Sequence, residues 1–167
     1  KKLKKRLLNI VVVGGGFSGI ETIGELKEMS DRLLPYYKNI SENEIKFHIL
    51  EFADKLLPEL AGEVSKYTLS VFQKRKINIH LKTALKEVSI YKVFLSNGKS
   101  INTNTIISTI GTSVSNVIKQ SGLPLRNGKI ITNEFLQVPQ LDNVWAIGDS
   151  ALIPNKLDTN DYPYSPP

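Results

Sequence analysis

The residues with the clearest potential for chemistry are glycines near the start of the chain. Gly14 to Gly19 reads GGGFSG and has the spacing G-x-G-x-x-G, between an apolar run and a helical pattern. In this context Gly14 makes a turn, Gly16 lets the backbone approach a pyrophosphate, and Gly19 permits close helix packing. Backbone N–H groups and the positive helix end stabilise phosphate charge. The pattern predicts a dinucleotide site, and a glycine turn without a ligand is the alternative.

Two glutamates are candidates for binding the same dinucleotide. Glu51 ends a second apolar segment, where a carboxylate can accept hydrogen bonds from both adenosine ribose hydroxyls and would repel a 2′-phosphate. NADH is therefore predicted over NADPH, and an ordinary strand-end carboxylate is the alternative. Glu51 lies further beyond Gly19 than the usual distance of about 20 residues, so a long helix and loop must separate them. Glu21 is expected in the first turn of the helix, where its charge favours the helix dipole with or without a ligand.

Other reactive residue types do not form a catalytic set. His48 and His80 stand singly within apolar strands, so both are interpreted as structural, and Trp145 is expected to pack within a strand. The serines lack a nucleophile-elbow context. Zero cysteines exclude disulfides, thiolate metal sites and a redox cysteine within these residues. The sequence therefore predicts no catalytic side chain and no metal site.

An α/β fold must position these residues. Apolar runs rich in β-branched residues alternate with helical periodicity, which predicts a Rossmann-like parallel sheet with right-handed crossovers. The expected order is strand Leu7 to Val13, helix Phe17 to Arg32, strand Ile45 to Leu50, helix Glu63 to Arg75 and strand Ile77 to Leu81.

The pattern changes after the third strand. Short strands at Leu85 to Ile90, Lys92 to Leu95 and Ser100 to Ile101 predict a small antiparallel insert, with Asn97-Gly98 as a hairpin turn. Thr105 to Ile110 is expected to rejoin the parallel sheet. A later apolar run, Asn143 to Asp149, is expected to form a short strand ending in Gly-Asp.

Composition limits the other classes of function. The chain has 167 residues, 41% of them hydrophobic, enough for one ordinary globular domain, and no apolar segment reaches the roughly 18 residues of a membrane span. The net charge of +6 comes largely from a basic start, while acids nearly balance the remaining basic residues. We therefore expect a solvated tail and no nucleic-acid-binding face. The basic residues of this tail are Lys1, Lys2, Lys4, Lys5 and Arg6.

The order of the motifs resembles one family. The glycine loop, Glu51, the antiparallel insert, IISTIGTSVSN and NVWAIGDSA together resemble the pyridine nucleotide-disulphide oxidoreductase superfamily, the flavoproteins with two dinucleotide-binding domains. The segments LLNIVVVGGGFSGIETIGEL and SGLPLRNGKIITNEFLQVPQLDNVWAIGDSA look most similar to type II NADH dehydrogenases. Phe17 and Ser18 stand where Pro-Thr is commoner in that family, and Ser108-Thr-Ile-Gly111 departs from the usual Ala-Thr-Gly or Ala-Ala-Gly.

The resemblance implies domains and binding residues. After the basic tail at 1–6, which the charge pattern predicts, it implies an NAD(H)-binding Rossmann domain at 7–112 and the return segment of a truncated FAD-binding domain at 113–167. Gly148 and Asp149 are expected to contact FAD in an intact enzyme, with Asp149 bonding the ribityl chain. The residues expected to bind NADH are Gly14, Gly15, Gly16, Phe17, Ser18, Gly19, Glu21, Glu51 and Gly111.

The resemblance also implies an activity. In an intact enzyme, NADH would transfer a hydride to FAD, which would reduce a quinone; the chain alone is expected to be inactive and to self-associate. A cytoplasmic location is expected, with the parent enzyme peripheral on the cytoplasmic membrane face. Two alternatives stay open: an NAD(P)H-binding domain of a ferredoxin-reductase-like or disulfide-reductase-like flavoprotein, and a non-catalytic NAD-sensing Rossmann module. The Gly-Asp motif argues against the sensing module, which has no flavin to contact.

Overall fold

The computed structural model describes residues 2–111 and 115–155. The chain divides into two compact units, residues 1–111 and residues 112–167. The expectations for Lys1, for the loop at residues 112–114 and for the proline-rich end at 162–167 lie outside the described residues. The elements of the first unit are α1 (Lys2–Leu7), β1 (Asn9–Val13), α2 (Phe17–Leu33), β2 (Lys46–Leu50), α3 (Gly62–Lys74), β3 (Asn78–His80), β4 (Leu85–Ser89), β5 (Lys92–Leu95), β6 (Ser100–Asn102) and β7 (Thr105–Ser108).

A four-stranded parallel sheet organises the first unit. Its strand order is β3-β2-β1-β7, with every neighbouring pair parallel. The central strand β1 carries three consecutive valines that are buried on both faces of the sheet, as expected for a parallel sheet covered on both sides. The predicted α/β class with a Rossmann-like parallel sheet is confirmed.

Helices cover one face of this sheet. Val12 of β1 and Ile49 of β2 pack in one apolar cluster with Ile23 of α2 and Phe72 of α3. The long α2 is followed by short 3-10 turns at Leu34–Tyr36 and Glu42–Glu44 before β2 begins. This confirms the long helix and loop expected between the glycines and Glu51.

An antiparallel sheet covers the other face. Strands β4, β5 and β6 pair in that order, and Val93 and Leu95 of β5 pack against Val11 and Val13 of β1. At the tip of the β5-β6 hairpin, Gly98 has a φ of 80°, in the left-handed region that favours glycine. The antiparallel insert and its Asn-Gly turn are confirmed.

The basic start of the chain differs from the expected solvated tail. Residues Lys2–Leu7 form the helix α1. Lys4 Nζ lies 2.7 Å from a carboxylate oxygen of Glu44, and the Arg6 guanidinium lies over the Tyr91 ring at 3.8 Å from its centroid. These two contacts tie the segment to the folded unit, so the tail interpretation is wrong for the described residues 2–6.

The second unit consists of short elements. Its described elements are α4 (Asn116–Gln120), β8 (Leu125–Arg126), β9 (Lys129–Ile131) and β10 (Ala151–Leu152). Strand β9 pairs antiparallel with β8 and parallel with β10. Ile130, Val138, Ala146 and Ala151 form its small core.

The strand expected at Asn143 to Asp149 is wrong. Trp145 makes only an isolated bridge to Gln137, and Gly148–Ser150 is a 3-10 turn. Trp145 is exposed, so its expected packing role is also wrong. An apolar run becomes a strand only where neighbouring strands supply partners for its backbone groups, and in the described part of this unit only a short bridge does so.

Candidate nucleotide-binding site

The first and last glycines of the loop are sterically required. Gly14 follows β1 with a φ of 108°, and its N–H donates to the Leu50 carbonyl at 2.9 Å. A Cβ atom on Gly14 would lie 2.7 Å from Thr109 Oγ1, and one on Gly19 would collide with the Gly14 carbonyl oxygen. The loop therefore turns sharply out of β1 and brings the start of α2 against its own backbone.

Gly16 differs from these two because it faces open space. A Cβ atom there would meet no atom within 4 Å. Gly16 also caps the N-terminus of α2, which has no side-chain cap. The N–H groups of a helix's first turn have no intrahelical acceptor; here they belong to Phe17, Ser18 and Gly19, beside the free volume at Gly16. This combination of unused donors, positive helix end and uncovered backbone fits a phosphate.

Glu51 is bound to the glycine loop. It follows β2 with 9% of its surface exposed, and its carboxylate accepts hydrogen bonds from the Gly15 N–H at 2.6 Å and the Ala53 N–H at 2.7 Å. The Gly15 carbonyl accepts from the Leu57 N–H at 2.8 Å. Both backbone groups of Gly15 are thus used within the protein, and Glu51 joins the carboxyl end of β2 to the glycine loop.

Glu21 does not lie where the sequence suggested. The helix α2 begins at Phe17, and its first turn contains no acidic residue. Glu21 lies in the second turn with its side chain exposed. The expected first-turn dipole interaction is therefore wrong, since the effect falls off beyond the terminal turn. Its predicted nearness to the nicotinamide end stays a prediction.

The end of β7 contributes a residue that sequence reasoning did not single out. Thr109 follows β7, which lies beside β1, and its N–H donates to the Val13 carbonyl at 2.8 Å. Its hydroxyl donates to the Val13 carbonyl at 2.9 Å and lies 3.3 Å from the Gly14 carbonyl. Gly111, two residues further on, is exposed with a φ of 28°. The parallel pairing predicted from sequence already implied that Thr109 and Gly14 share one edge of the sheet.

The two histidines are paired rather than isolated. His48 Nδ1 and His80 Nε2 are 3.1 Å apart, and the two rings stack with centroids separated by 5.4 Å. Burial, with smaller contributions from the neighbouring His80 and Lys46, lowers the pKa of His48 to about 4. Burial also lowers the pKa of His80, with Lys99 contributing. The pair is thus held uncharged at neutral pH, which fits the structural interpretation but not the view that each stands alone.

Within residues 2–111 and 115–155, no three His, Asp or Glu side chains are grouped so that they could hold a metal ion. Among the helices of the same ranges, none is long and apolar enough to cross a membrane.

The predicted flavin-contacting residues lie in the second unit. Gly148 has a φ of 65° and begins the 3-10 turn that contains Asp149. The Asp149 side chain is exposed. A carboxylate presented in this way is free to accept a hydrogen bond from a hydroxyl group.

Comparison with known proteins agrees with the glycine loop and the parallel sheet. Residues 1–162 match the family model for pyridine nucleotide-disulphide oxidoreductase. The chain belongs to this family. The resemblance inferred from the order of the motifs is therefore confirmed, as is the oxidoreductase class.

Relatives of this oxidoreductase include named NADH dehydrogenases. A probable NADH dehydrogenase of Dictyostelium discoideum is 31% identical over 155 residues, which is 92% of this chain and 34% of the relative. A type II NADH:quinone oxidoreductase of Staphylococcus aureus is 29% identical over 151 residues, 88% of this chain and 37% of the relative. The chain therefore spans about a third of the length of these relatives.

Solved structures show the same likeness. NDH2 from Plasmodium falciparum in complex with NADH matches with a TM-score of 0.76 and 26% identity, over 92% of this chain and 34% of that one. A ferredoxin reductase from Rhodopseudomonas palustris matches with a TM-score of 0.64 and 21% identity, over 89% of this chain and 35% of that one. The second match shows a shared fold only.

Proposed function

We propose that this oxidoreductase chain is the NADH-binding domain of a FAD-dependent NADH dehydrogenase. One observation carries the proposal: the open backbone at Gly16 lies at the uncapped N-terminus of α2, and Glu51 is hydrogen-bonded to the same loop at Gly15. A phosphate-binding helix end next to a strand-end carboxylate is the arrangement that binds a pyrophosphate and its adenosine ribose. The names of the relatives support NADH as the dinucleotide.

The proposed pose follows from the loop. The pyrophosphate lies against Gly16 and accepts hydrogen bonds from the first-turn N–H groups of α2. The adenosine ribose lies at Glu51, whose carboxylate oxygens each accept one backbone hydrogen bond and keep further acceptor capacity for a hydroxyl. The nicotinamide then extends toward Gly111, with Glu21 nearby. A 2′-phosphate would be repelled by Glu51, so we expect NADPH to bind more weakly.

The proposed flavin contacts lie in the second unit. Asp149 would accept a hydrogen bond from a hydroxyl of the ribityl chain, and the positive φ of Gly148 sets the backbone that presents it. When bound, FAD supplies the hydride acceptor and passes the electrons to a quinone. This chain's residues bind and orient the nucleotide, and none acts as an acid or base. The chain alone is therefore proposed to be inactive, and the cytoplasmic, membrane-peripheral setting stays a prediction.

Calorimetric titration of the 167-residue chain with NADH and NADPH tests the proposal. We expect tighter binding of NADH. Glu51→Gln should weaken NADH binding about tenfold or more and narrow the difference from NADPH, because the substitution removes the charged partner of the ribose hydroxyls. Glu59→Gln is the matched control, since Glu59 is an exposed carboxylate on the same connecting loop and should leave both affinities unchanged.

Two results would overturn this proposal. If the wild-type chain binds neither nucleotide, the glycine loop is not a dinucleotide-binding site in this chain. Binding of both nucleotides with equal affinity, unaffected by Glu51→Gln, would place the ribose elsewhere. The ferredoxin-reductase-like and disulfide-reductase-like alternatives also predict binding of NADH or NADPH at the glycine loop, and they differ from the proposal in the electron acceptor. The sensing alternative predicts nucleotide binding without any flavin contact at Asp149.

A further inference from the structure

Thr109 makes several contacts with the glycine loop from outside it. Its hydroxyl donates to the Val13 carbonyl at 2.9 Å and lies 3.3 Å from the Gly14 carbonyl. The same oxygen would lie 2.7 Å from a Cβ atom on Gly14 and 2.9 Å from one on Gly19. One side chain from the end of β7 therefore binds the first end of the loop and lies beside the last.

These contacts have consequences for the phosphate-binding groups. A hydroxyl donates a single hydrogen bond, which the carbonyls of Val13 and Gly14 share at the point where the chain turns at Gly14. A hydroxyl bonded to these carbonyls restrains the turn that leads into the first-turn N–H groups of α2. At the next residue of the turn, the Glu51 carboxylate accepts a hydrogen bond from the Gly15 N–H. Thr109 thus binds the carbonyl groups of the turn, and Glu51 binds one of its N–H groups.

We propose that Thr109 is a positioning residue of the nucleotide site: its hydroxyl fixes the Val13-Gly14 turn so that the N–H groups at the start of α2 are presented to the pyrophosphate. This inference rests on the proposed function and deepens it. Thr109 itself is not proposed to contact the nucleotide. It acts by limiting the conformations of the loop before the ligand arrives, which reduces the ordering cost of binding.

The chain contains a matched control at the opposite end of the same strand pair. Thr103 precedes β7 and is 1% exposed. Its hydroxyl donates to the Asn9 carbonyl at 2.6 Å and lies 2.9 Å from the Thr105 carbonyl oxygen. Both threonines thus donate a hydroxyl hydrogen bond to a β1 carbonyl. Only Thr109 lies at the carboxyl end of the strands, beside the glycine loop.

The experiment compares Thr109→Val, Thr109→Ser and Thr103→Val in the 167-residue chain. Valine keeps the shape of threonine without its hydroxyl, and serine keeps the hydroxyl. Two measurements are made on each variant: amide hydrogen exchange of residues 14–20 without ligand, and calorimetric titration with NADH. We expect Thr109→Val to speed exchange in residues 14–20 and to raise the Kd for NADH about fivefold to tenfold. Thr109→Ser should keep both the exchange of residues 14–20 and the Kd for NADH at their wild-type values.

Thr103→Val decides between positioning and general stability. We expect it to lower the unfolding midpoint while leaving exchange at 14–20 and the Kd for NADH unchanged. Equal amide exchange of residues 14–20 in Thr109→Val and wild type would overturn the inference. An equal loss of NADH affinity in Thr103→Val and Thr109→Val would also overturn it. If wild-type chain binds no NADH but loop exchange still responds to Thr109→Val and is restored by Thr109→Ser, the proposed function fails while the hydroxyl's control of the loop stands.

Discussion

At the scale of single residues, Gly16 and Gly19 serve the same loop for different physical reasons. Gly19 has no room for a side chain, because a Cβ atom would collide with the Gly14 carbonyl. Gly16 has room in the free protein and an ordinary negative φ of −76°. The space beside Gly16 is where the pyrophosphate is proposed to lie. Substitution by alanine therefore separates a role in folding from a role in binding.

We predict that Gly19→Ala lowers the free energy of unfolding by about 1 to 3 kcal/mol, as overpacking usually does. Gly16→Ala should cost less than about 1 kcal/mol, since it replaces only a helix N-cap glycine. The affinity for NADH should nevertheless fall about tenfold or more in Gly16→Ala, because the added methyl group occupies the space of the phosphate. Urea unfolding and calorimetry measure the two effects. Strong NADH binding by Gly16→Ala would contradict the proposed pose.

At the scale of elements, the His48–His80 pair joins two neighbouring parallel strands. Its pKa values predict how the stability of the chain depends on pH. The folded state keeps His48 neutral down to about pH 4, whereas in the unfolded state it is protonated near 6.5. The unfolded state therefore binds more protons below 6.5, so stability must fall as the pH decreases through this window. The lowered pKa of His80 acts in the same direction.

We predict that the urea unfolding free energy of the wild type decreases between about pH 6.5 and about pH 5. The double variant His48→Gln, His80→Gln should show a flatter dependence, since glutamine does not titrate. The difference between the two proteins removes the contribution of carboxylates, which titrate in both. Parallel pH dependences in the two proteins would mean that the pair is not held neutral by the fold.

The same elements show what the sequence predicts and what it does not. Periodicity and the Asn97-Gly98 turn predicted the parallel sheet, the long helix α2 and the antiparallel insert, because each is specified by residues close in the chain. The His48–His80 pair and the contact of Thr109 with Gly14 depend on which strands are neighbours and on their register. The expected strand around Trp145 was wrong because an apolar run does not by itself supply a pairing partner.

At the scale of the whole molecule, the second unit exposes large apolar side chains. Phe135, Trp145 and Ile147 have 73%, 57% and 67% of their surfaces exposed. Exposed apolar groups of this size favour association when they are contiguous. We predict concentration-dependent self-association in analytical ultracentrifugation, reduced in the variant Trp145→Ser, Ile147→Ser.

An aromatic residue of the first unit provides the control for this prediction. Tyr36 is also highly exposed, so Tyr36→Ser removes a comparable surface aromatic and should leave self-association unchanged. A wild-type chain that stays monomeric at all concentrations would show that the exposed residues of the second unit do not drive association.

Mapping of amide chemical shifts during an NADH titration tests whether NADH binds at the glycine loop and Glu51. The chain's mass of 18.7 kDa is well suited to two-dimensional NMR. We predict that the largest shifts occur at residues 14–20, 51–53 and 109–111, and that adenosine monophosphate reproduces the shifts at 51–53. Shifts confined to other segments, or no saturable shifts at all, would contradict the assignment of this site.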